Sequence, residues 1–574
     1  MTATSLDVAL SDALRRTLEA LGVAPSDAQD LQVRWEPPRL QAHGDLCTSV
    51  ALQLAKRDRR PPLDVAGTIV ERLRAQLAAA GLQRAVERIE VKPPGFINVF
   101  LSQQALYDTL ALILTQRERY GQTDLGQGAK VQVEFVSANP TGPLSVAHGR
   151  QAAVGDSLAN LMAFCGYDVT REYYLNDEGT QIDLLGQSLL ARYLEALGEP
   201  SRFPEHGYKG DYLTVIAGQV VQREGRRWVT GGEERAAWFS DYACSAMLRV
   251  IQQELVDFGV SFDVWSSQKS LRGDHRQDEA LELLKGRGYL YEQDGAWWLK
   301  STAFGDDKDR VVIRSDGRPT YIAADIAYHR EKYRRGFQRI INLWGPDHHG
   351  YAPRMLAAIQ ALGYPGKSLT VLIVQLCALR RGAEVVPMST REGEFVTLRQ
   401  VMEEVGRDAA RFFFLMRTVD SHLEFDLELA KKAAPENPVY YVQYAHARIA
   451  SLIAYQRSQD RGTQPVAWGT QPVTGSRAET WDPALLTQPE ELQLLRRARE
   501  FPAAVAAAVQ HLEPHGIARY LVHLATDFHR FYDTHRVVTD DRALTAARLA
   551  LVDGVHVVLA TGLGLLGVSA PTQM

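Results

Sequence analysis

A strand, a sharp turn and a helix follow one another between residues 131 and 156, and this succession constrains the fold more than any other feature of the chain. Apolar and polar residues alternate over 131–136, as in a β-strand. The Pro- and Gly-rich segment 139–143 breaks that pattern, and a helix with one apolar side begins near His148. Unpaired N–H groups and the positive dipole end at such a helix start favour a bound phosphate.

Two further strands are predicted at 339–344 and 369–376, and each is followed by a loop that carries polar residues. Strand, loop and helix therefore alternate over about 300 residues, which is typical of a doubly wound α/β domain. In such domains the ligands bind beyond the carboxyl ends of the parallel strands. We expect the functional site at that edge.

The two flanking parts of the chain have different patterns. Leucines at helical spacing from Leu10 onward and alternating residues over 88–101 predict a small α+β domain at the N-terminus. From about residue 405 onward the pattern is almost wholly helical. Within it, segment 456–490 is rich in Gly, Pro, Thr and Gln and repeats the sequence Gly-Thr-Gln-Pro-Val, which predicts a flexible surface loop.

Composition limits the classes of function. The 574 residues are 45% hydrophobic and 23% charged, so several domains can each bury a core. The net charge is −5, so contacts with nucleic acid depend on local basic patches. Four widely spaced cysteines fit neither a disulfide framework nor a zinc site. The N-terminus has no apolar signal core and segment 555–568 is too interrupted to span a bilayer, so we expect a cytoplasmic protein without membrane contact.

Several motifs, in the right order, resemble those of class I aminoacyl-tRNA synthetases and specifically of arginyl-tRNA synthetases. Residues 145–148 (Ser-Val-Ala-His) occupy the place of the first signature, His-x-Gly-His, after the lead-in 134–139. Residues 386–393 occupy the place of the second signature, Lys-Met-Ser-Lys-Ser. The other similar segments are 44–50, 171–177, 306–329, 343–350, 408–411 and 436–446. The resemblance covers nearly the whole chain.

The resemblance implies a multidomain α/β protein. A tRNA-elbow-binding α+β domain (1–112) would precede a Rossmann-type catalytic domain with insertions (113–430) and a helical anticodon-binding domain (431–574). The implied activity is ATP-dependent arginine–tRNA ligation: arginine and ATP form arginyl-adenylate, and arginine then passes to the terminal adenosine of tRNA(Arg). The resemblance implies ATP with Mg²⁺ as the substrate and adenylate formation that waits for bound tRNA. We expect a monomer.

The resemblance also implies roles for individual residues. The implied catalytic residues are Ser145, His148, Ser389 and Arg391. The implied arginine-binding residues are Glu134, Asn139, Tyr321, Asp325 and His349. The implied ATP-binding residues are Ser145, Ala147, His148, Gly345, Asp347, Gln375, Met388 and Ser389. The implied tRNA-binding residues are Tyr440, Tyr444, Arg530 and Arg536.

Elementary chemistry supports an arginine site but leaves alternatives open. A guanidinium prefers planar carboxylate acceptors, and Tyr321 and Asp325, four residues apart, share one helix face. Taken singly, Asp325 fits a surface carboxylate equally well, and His148 fits a helix cap better. The cluster Asp347-His348-His349 suggests a metal site, but zinc needs three or four ligands and no further His or Cys stands nearby in sequence, so we predict no metal site.

The C-terminal aromatic residues beside arginines suit stacking on anticodon bases. Aromatic residues at helical spacing are also typical of a core, and this second interpretation stays open for Tyr440 and Tyr444.

Four positions depart from the signatures: Ser145 and Ala147 in the first, Pro387 and Thr390 in the second. Positive groups stabilise the charge that develops on leaving pyrophosphate, and losing one such donor costs roughly 10²–10³ in rate. The candidate substitutes are Arg150, Arg380, Arg381, Arg391 and Lys308. The departures suggest an alternative, a catalytically impaired paralogue that binds arginine or tRNA without efficient aminoacylation. A different nucleotide-binding α/β transferase would explain neither flanking domain.

Overall fold

A computed structural model describes the chain except for residues 1–5, 25–30, 32, 34, 37, 39, 274, 387–395 and 460–480. The strands are β1 Leu46–Thr48, β2 Val86–Lys92, β3 Phe96–Leu101, β4 Lys130–Glu134, β5 Asp168–Leu175, β6 Val264–Ser267, β7 Leu290–Gln293, β8 Ala296–Leu299, β9 Arg310–Ile313, β10 Arg339–Trp344, β11 Leu369–Ile373, β12 Cys377–Arg381, β13 Glu384–Val385 and β14 Leu423–Asp426. The helices of the first half are α1 Leu6–Ala20, α2 Val50–Asp58, α3 Pro62–Ala79, α4 Gln103–Gln116, α5 Val146–Phe164, α6 Thr180–Ala196, α7 Asp211–Glu224, α8 Glu233–Asp257, α9 Gln268–Gly273 and α10 Arg276–Gly286. The helices of the second half are α11 Tyr321–Arg334, α12 Ala352–Ala361, α13 Leu398–Val405, α14 Arg407–Phe414, α15 Leu427–Lys431, α16 Pro438–Gln459, α17 Pro489–Arg499, α18 Phe501–His511, α19 His515–Thr534 and α20 Arg542–Leu565.

The central sheet has five strands in the order β11-β10-β4-β5-β6, and all four of its strand pairs are parallel. The chain leaves β4 through α5 to reach β5 on one side, whereas β10 lies on the other side of β4. The strand order therefore reverses between β4 and β10, and the crevice at such a switch point is where doubly wound domains bind ligands. The predicted fold class is confirmed.

Helix α5 packs directly against the strand that precedes it. A Cβ atom at Gly155 would lie 2.2 Å from the ring of Phe135, and one at Gly149 would lie 2.6 Å from Leu398. Both glycines therefore permit close approach rather than flexibility. This approach places the middle of α5 against Phe135, the residue that follows β4.

The N-terminal part forms its own core beneath a three-stranded antiparallel sheet, β1-β3-β2. The hairpin predicted over 88–101 is confirmed as β2 and β3. Asp45 joins this part to the C-terminal helices: one carboxylate oxygen accepts a hydrogen bond from Arg496 at 2.7 Å, and the other from the Leu101 N–H at 2.7 Å.

Helices α16–α20 form the C-terminal bundle. The prediction of an almost wholly helical chain beyond residue 405 is wrong at β14, which pairs in parallel with β12. In segment 456–490, the first residues belong to α16 and the last two to α17, so the predicted loop is too long at both ends. Its centre, 460–480, lies outside the described residues.

One described helix, α20, is long and apolar enough to cross a membrane, but 78% of its most apolar window is buried inside the protein. Arg548 on this helix donates a hydrogen bond at 2.8 Å to the buried carboxylate of Glu491 on α17. The helix packs as the core of the bundle.

Candidate active site

Three polar residues form one row across the carboxyl edge of the central sheet. Glu134 at the end of β4 lies directly opposite Asn342 of β10 on one side and Glu172 of β5 on the other. All three side chains are buried. Since buried charges need partners, this row depends on cations from the helix that covers it.

Glu134 receives two hydrogen bonds. Its Oε2 accepts one from the ammonium group of Lys332, and its Oε1 accepts one from the Ser137 hydroxyl at 3.2 Å. The backbone takes positive φ angles at Val136 (67°) and Ser137 (40°), which is unusual for residues other than glycine and most unusual for the β-branched Val136. This reversal turns the Ser137 hydroxyl back toward the carboxylate. Asn139, two residues further on, is exposed and donates to Gln181 Oε1 at 2.7 Å.

Helix α11 carries the two residues predicted to hold a guanidinium. Tyr321 is its first residue and is 77% exposed. Asp325, one turn later, is half-buried and accepts a hydrogen bond from the Tyr351 hydroxyl. Burial raises the pKa of Asp325 to about 6, the Tyr351 hydrogen bond acts in the opposite direction, and the charge of Glu134 raises this pKa further. Lys332, two turns further along α11, contacts Glu134, so the helix and the strand bring Asp325 and Glu134 to the same edge of the sheet.

His148 occupies the third position of α5 and closes its N-terminus. The Ser145 N–H donates to His148 Nδ1 at 3.1 Å, and Ser145 Oγ lies 3.2 Å from the same nitrogen. Burial lowers the pKa of His148 to about 4, so the ring is neutral near pH 7. Since Nδ1 accepts, Nε2 carries the hydrogen and is a neutral donor. The cap interpretation and the phosphate-donor interpretation are thus compatible, because each uses a different nitrogen.

The other residues assigned to ATP lie near the same edge. Ala147 is in the first turn of α5, and Gly345 follows β10 directly. A Cβ atom at Gly345 would lie 3.7 Å from Gln151 of α5, so the carboxyl end of β10 lies close to the N-terminal half of α5. Asp347 and His349 follow in an exposed 3-10 turn. Gln375 comes two residues after β11, and its carbonyl accepts a hydrogen bond from Arg150 at 2.8 Å.

Three of the candidate substitutes for the missing lysines already have partners. The guanidinium of the fully buried Arg150 donates to the main-chain carbonyls of Gln375, Thr418 and Ser421 at 2.8–2.9 Å. Arg380 pairs with Glu424 at 2.7 Å and Arg381 with Glu404 at 2.5 Å. Lys308 is exposed. The fifth candidate substitute, Arg391, lies outside the described residues. So do Pro387, Met388, Ser389 and Thr390 of the second signature.

The C-terminal residues assigned to tRNA include two stacked tyrosines and two exposed arginines. The rings of Tyr440 and Tyr444 stack at 5.7 Å, and Tyr444 also stacks with His529 at 5.8 Å. The Arg530 side chain is 76% exposed, and Arg536 is exposed. The two tyrosines are half-buried, so they contribute both to packing and to the surface.

Sequence reasoning missed Lys332 and Tyr351, the two residues that contact the predicted carboxylates. One signal was available: residues 321, 325, 328 and 332 share one face of α11, so Lys332 continues the Tyr321–Asp325 face by two turns. No comparable signal marked Tyr351. Among the described residues, no group of three or more His, Cys, Asp or Glu side chains could hold a metal ion.

Comparisons with known proteins point to the same family along nearly the whole chain. Residues 6–101 match the arginyl tRNA synthetase N terminal domain, residues 109–432 the catalytic domain of tRNA synthetases class I (R), and residues 442–574 the DALR anticodon binding domain. The arginine–tRNA ligase of Desulforamulus reducens is 46% identical over 94% of this chain and 93% of its own. That of Moorella thermoacetica is 46% identical over 99% of this chain and 98% of its own. The arginyl-tRNA synthetase structure from Thermus thermophilus shares the fold, with a TM-score of 0.75, 22% identity and coverage of 99% of this chain and 100% of its own.

Proposed function

The chain belongs to the arginyl-tRNA synthetase family, and from that premise we propose how its described residues activate arginine with ATP and pass it to tRNA(Arg). The activity is ATP-dependent arginine–tRNA ligation. Relatives that match nearly the whole chain are named as arginine–tRNA ligases, and nothing favours the impaired-paralogue alternative over this activity.

One observation carries the proposed site: Lys332 of α11, the helix that also carries Asp325, contacts Glu134 at the end of β4, so helix and strand bring both carboxylates to the switch point. Free arginine has two cationic ends, the α-ammonium and the guanidinium. We assign Glu134 and Asn139 to the α-ammonium end, and Asp325 and Tyr321 to the guanidinium. His349, in the 3-10 turn that follows β10, is also assigned to the arginine side of the site.

The nucleotide lies at the start of α5 in this proposal. Ser145, Ala147 and His148 in the first turn of α5, with Gly345, Asp347 and Gln375 after the neighbouring strands, surround it. His148 donates its Nε2–H to an oxygen of the α-phosphate, where the helix dipole also favours negative charge. Because the ring is already neutral, this donor does not depend on a proton gained near pH 7. Ser389, Met388 and Arg391 are assigned to the phosphates by the resemblance alone.

The reaction then needs no covalent enzyme intermediate. An arginine carboxylate oxygen attacks the α-phosphorus, a new P–O bond forms, and pyrophosphate leaves. A hydroxyl of the terminal ribose of tRNA next attacks the activated carbonyl, and AMP leaves. The enzyme contributes orientation of the two reactants and donors for the developing charge. We propose that Mg²⁺ enters with ATP, held by phosphate oxygens and water, as this ion prefers.

We propose a division of labour along the chain. Residues 1–112 bind the tRNA elbow, 113–430 carry the chemistry, and 431–574 bind the anticodon through Tyr440, Tyr444, Arg530 and Arg536. We also propose that the protein acts as a monomer. The four free cysteines support a reducing cytoplasm, and the burial of α20 supports a protein without membrane contact.

Aminoacylation of purified tRNA(Arg) with arginine, ATP and Mg²⁺ tests the function. We expect arginyl-tRNA to form, and we expect no product with citrulline, which has the shape of arginine but lacks the cationic guanidinium. Arginine binding without formation of arginyl-tRNA would contradict the proposal.

A further inference from the structure

Lys332 is a fully buried cation beside the amino-acid end of the site. Its ammonium group contacts Glu134 Oε2, donates to Asn342 Oδ1 at 3.0 Å and lies 4.3 Å from the centre of the Tyr328 ring. An ammonium group has three N–H donors, and these three contacts occupy them. Lys332 therefore acts on the protein and not on a ligand.

The partners of Lys332 are fixed in turn. Asn342 donates its amide N–H to His329 Nε2 at 2.8 Å, and His329 Nδ1 lies 2.8 Å from the Asp325 carbonyl. The Tyr328 hydroxyl donates to Glu172 at 2.8 Å. The ammonium group is thus held in one place by both the sheet and α11. A group held this firmly can fix the rotamer of the carboxylate that it contacts.

Without Lys332, Glu134 would keep only one of its two described protein donors, the Ser137 hydroxyl. Glu134 is 5% exposed, and a buried carboxylate without a cation is strongly disfavoured as an anion. In the absence of arginine, Lys332 is therefore the one described cation that pairs with the Glu134 carboxylate. Its Oε1, which faces Ser137, remains available for a second cation.

We propose that Lys332 is a positioning residue for the α-ammonium group of arginine: it holds the Glu134 carboxylate paired and oriented before the substrate arrives. The inference rests on the assignment of Glu134 to the α-ammonium group. Preorganisation of this kind raises affinity because the site does not have to be ordered on binding. Lys332 thereby contributes to the selection of α-amino acids over compounds that carry only a guanidinium.

A neighbouring pair supplies a matched control. Arg335, the residue that follows α11, holds the buried Glu172 through a contact of 2.7 Å. Glu172 lies directly beside Glu134 in the sheet. Arg335→Met therefore breaks a comparable ion pair on the same helix face but leaves Lys332 and Glu134 together.

The experiment uses the full chain and compares arginine with 5-guanidinopentanoate, an arginine analogue without the α-amino group. For Lys332→Met we expect the KM for arginine to rise about 10- to 100-fold, whereas the KM for ATP and the inhibition constant of the analogue change less than about threefold. For Arg335→Met we expect a similar loss of thermal stability with arginine KM within about threefold of the wild type.

The outcomes separate the hypotheses. An unchanged arginine KM in Lys332→Met, or equal weakening of arginine and of the analogue, would overturn the positioning role. If Lys332→Met does not fold, Lys332→Gln, which keeps a shorter N–H donor, replaces it, and we expect a smaller rise that is still specific for arginine. If the wild type itself does not form arginyl-tRNA, the proposed function fails instead.

Discussion

Glu134 and Glu172 are direct partners on the parallel strands β4 and β5, and a different cation neutralises each of them, Lys332 and Arg335 respectively. Like charges on facing strand positions destabilise a sheet, so both cations are needed for this arrangement. Both come from α11 or from the residue directly after it. The same helix carries Asp325, so the helix with the proposed guanidinium-binding carboxylate also supplies a cation to the sheet edge.

Removal of the Asp325 carboxylate should abolish the guanidinium contact. For Asp325→Ala we expect kcat/KM for arginine to fall roughly 30-fold or more, because truncating one partner of a buried charge pair costs about 2–5 kcal/mol. tRNA affinity should stay within about threefold. Steady-state aminoacylation and tRNA filter binding measure the two effects. Asp316→Ala, on an exposed turn, is the matched control, and a wild-type arginine KM in Asp325→Ala would remove Asp325 from the site.

The catalytic efficiency of the enzyme with arginine should fall in mild acid. The pKa of Asp325 is raised to about 6, so the carboxyl group is protonated below that pH and cannot pair with a guanidinium. The kcat/KM for arginine should therefore decline below about pH 6. His148 does not cause this decline, because burial lowers its pKa to about 4. Tyr351→Phe removes a hydrogen bond that lowers the pKa of Asp325, so the decline should begin at a higher pH, and a shift to lower pH would contradict this account.

The same raised pKa has a consequence for stability. The folded state binds a proton on Asp325 between the ordinary pKa of 3.8 and about 6, where the unfolded state does not. The contribution of this group to the free energy of unfolding is therefore present below pH 3.8 and is lost as the pH rises to about 6. Asp325→Asn should remove this part of the pH dependence, as measured by urea unfolding at pH 4.5 and 7.

The two nitrogens of His148 can be tested separately. In His148→Gln the side chain can still accept the Ser145 N–H, since Gln is a usual partner in a capping box, but the ring Nε2–H is lost. We expect adenylate formation to slow roughly 10²–10³-fold with arginine KM nearly unchanged. Pyrophosphate exchange in the presence of tRNA measures this. His148→Ala should in addition lose about 1 kcal/mol of stability through the missing cap, and equal rates in the wild type and both variants would exclude the donor role.

Local patterns were enough to predict the strand, turn and helix around His148 and the shared face of Tyr321 and Asp325. They could not reveal that Lys332 meets Glu134, because 198 residues separate the two in sequence and the contact depends on how the chain orders β10, β4 and β5. A cation on the same helix face as Asp325 was the available clue, and it does not identify the partner.

The short strand β14 shows a second limit. Its four residues alternate between the core and the surface, but four residues are too few to stand out between helical segments. Parallel pairing with the distant β12 stabilises the strand, and this pairing is tertiary information. The same limit applies to Arg150, whose sequence position suggests a phosphate contact but whose donors contact main-chain carbonyls.

The altered signatures can be repaired as a test of whether they limit the rate. Ser145→His with Pro387→Lys restores two cationic or donor groups of the family signatures, so we expect faster adenylate formation. Arg150, Arg380 and Arg381 already have partners, which favours this outcome. Ser145 precedes α5 directly and its Oγ lies 3.2 Å from His148 Nδ1, so stability must be measured alongside pyrophosphate exchange. An unchanged or slower rate in a folded variant would show that other groups already supply the charge.

The exposed arginines of the C-terminal bundle should contribute to tRNA binding through charge alone. The Arg530 side chain is 76% exposed, and Arg536 is exposed nearby in the chain. Replacing either by Ala should weaken tRNA(Arg) binding and reduce the slope of log affinity against log salt by about 1, because each removes about one phosphate contact. The KM for arginine at saturating tRNA should not change. Arg249→Ala on α8, also exposed but outside the proposed tRNA surface, is the control, and an unchanged salt slope in both bundle variants would move the anticodon surface elsewhere.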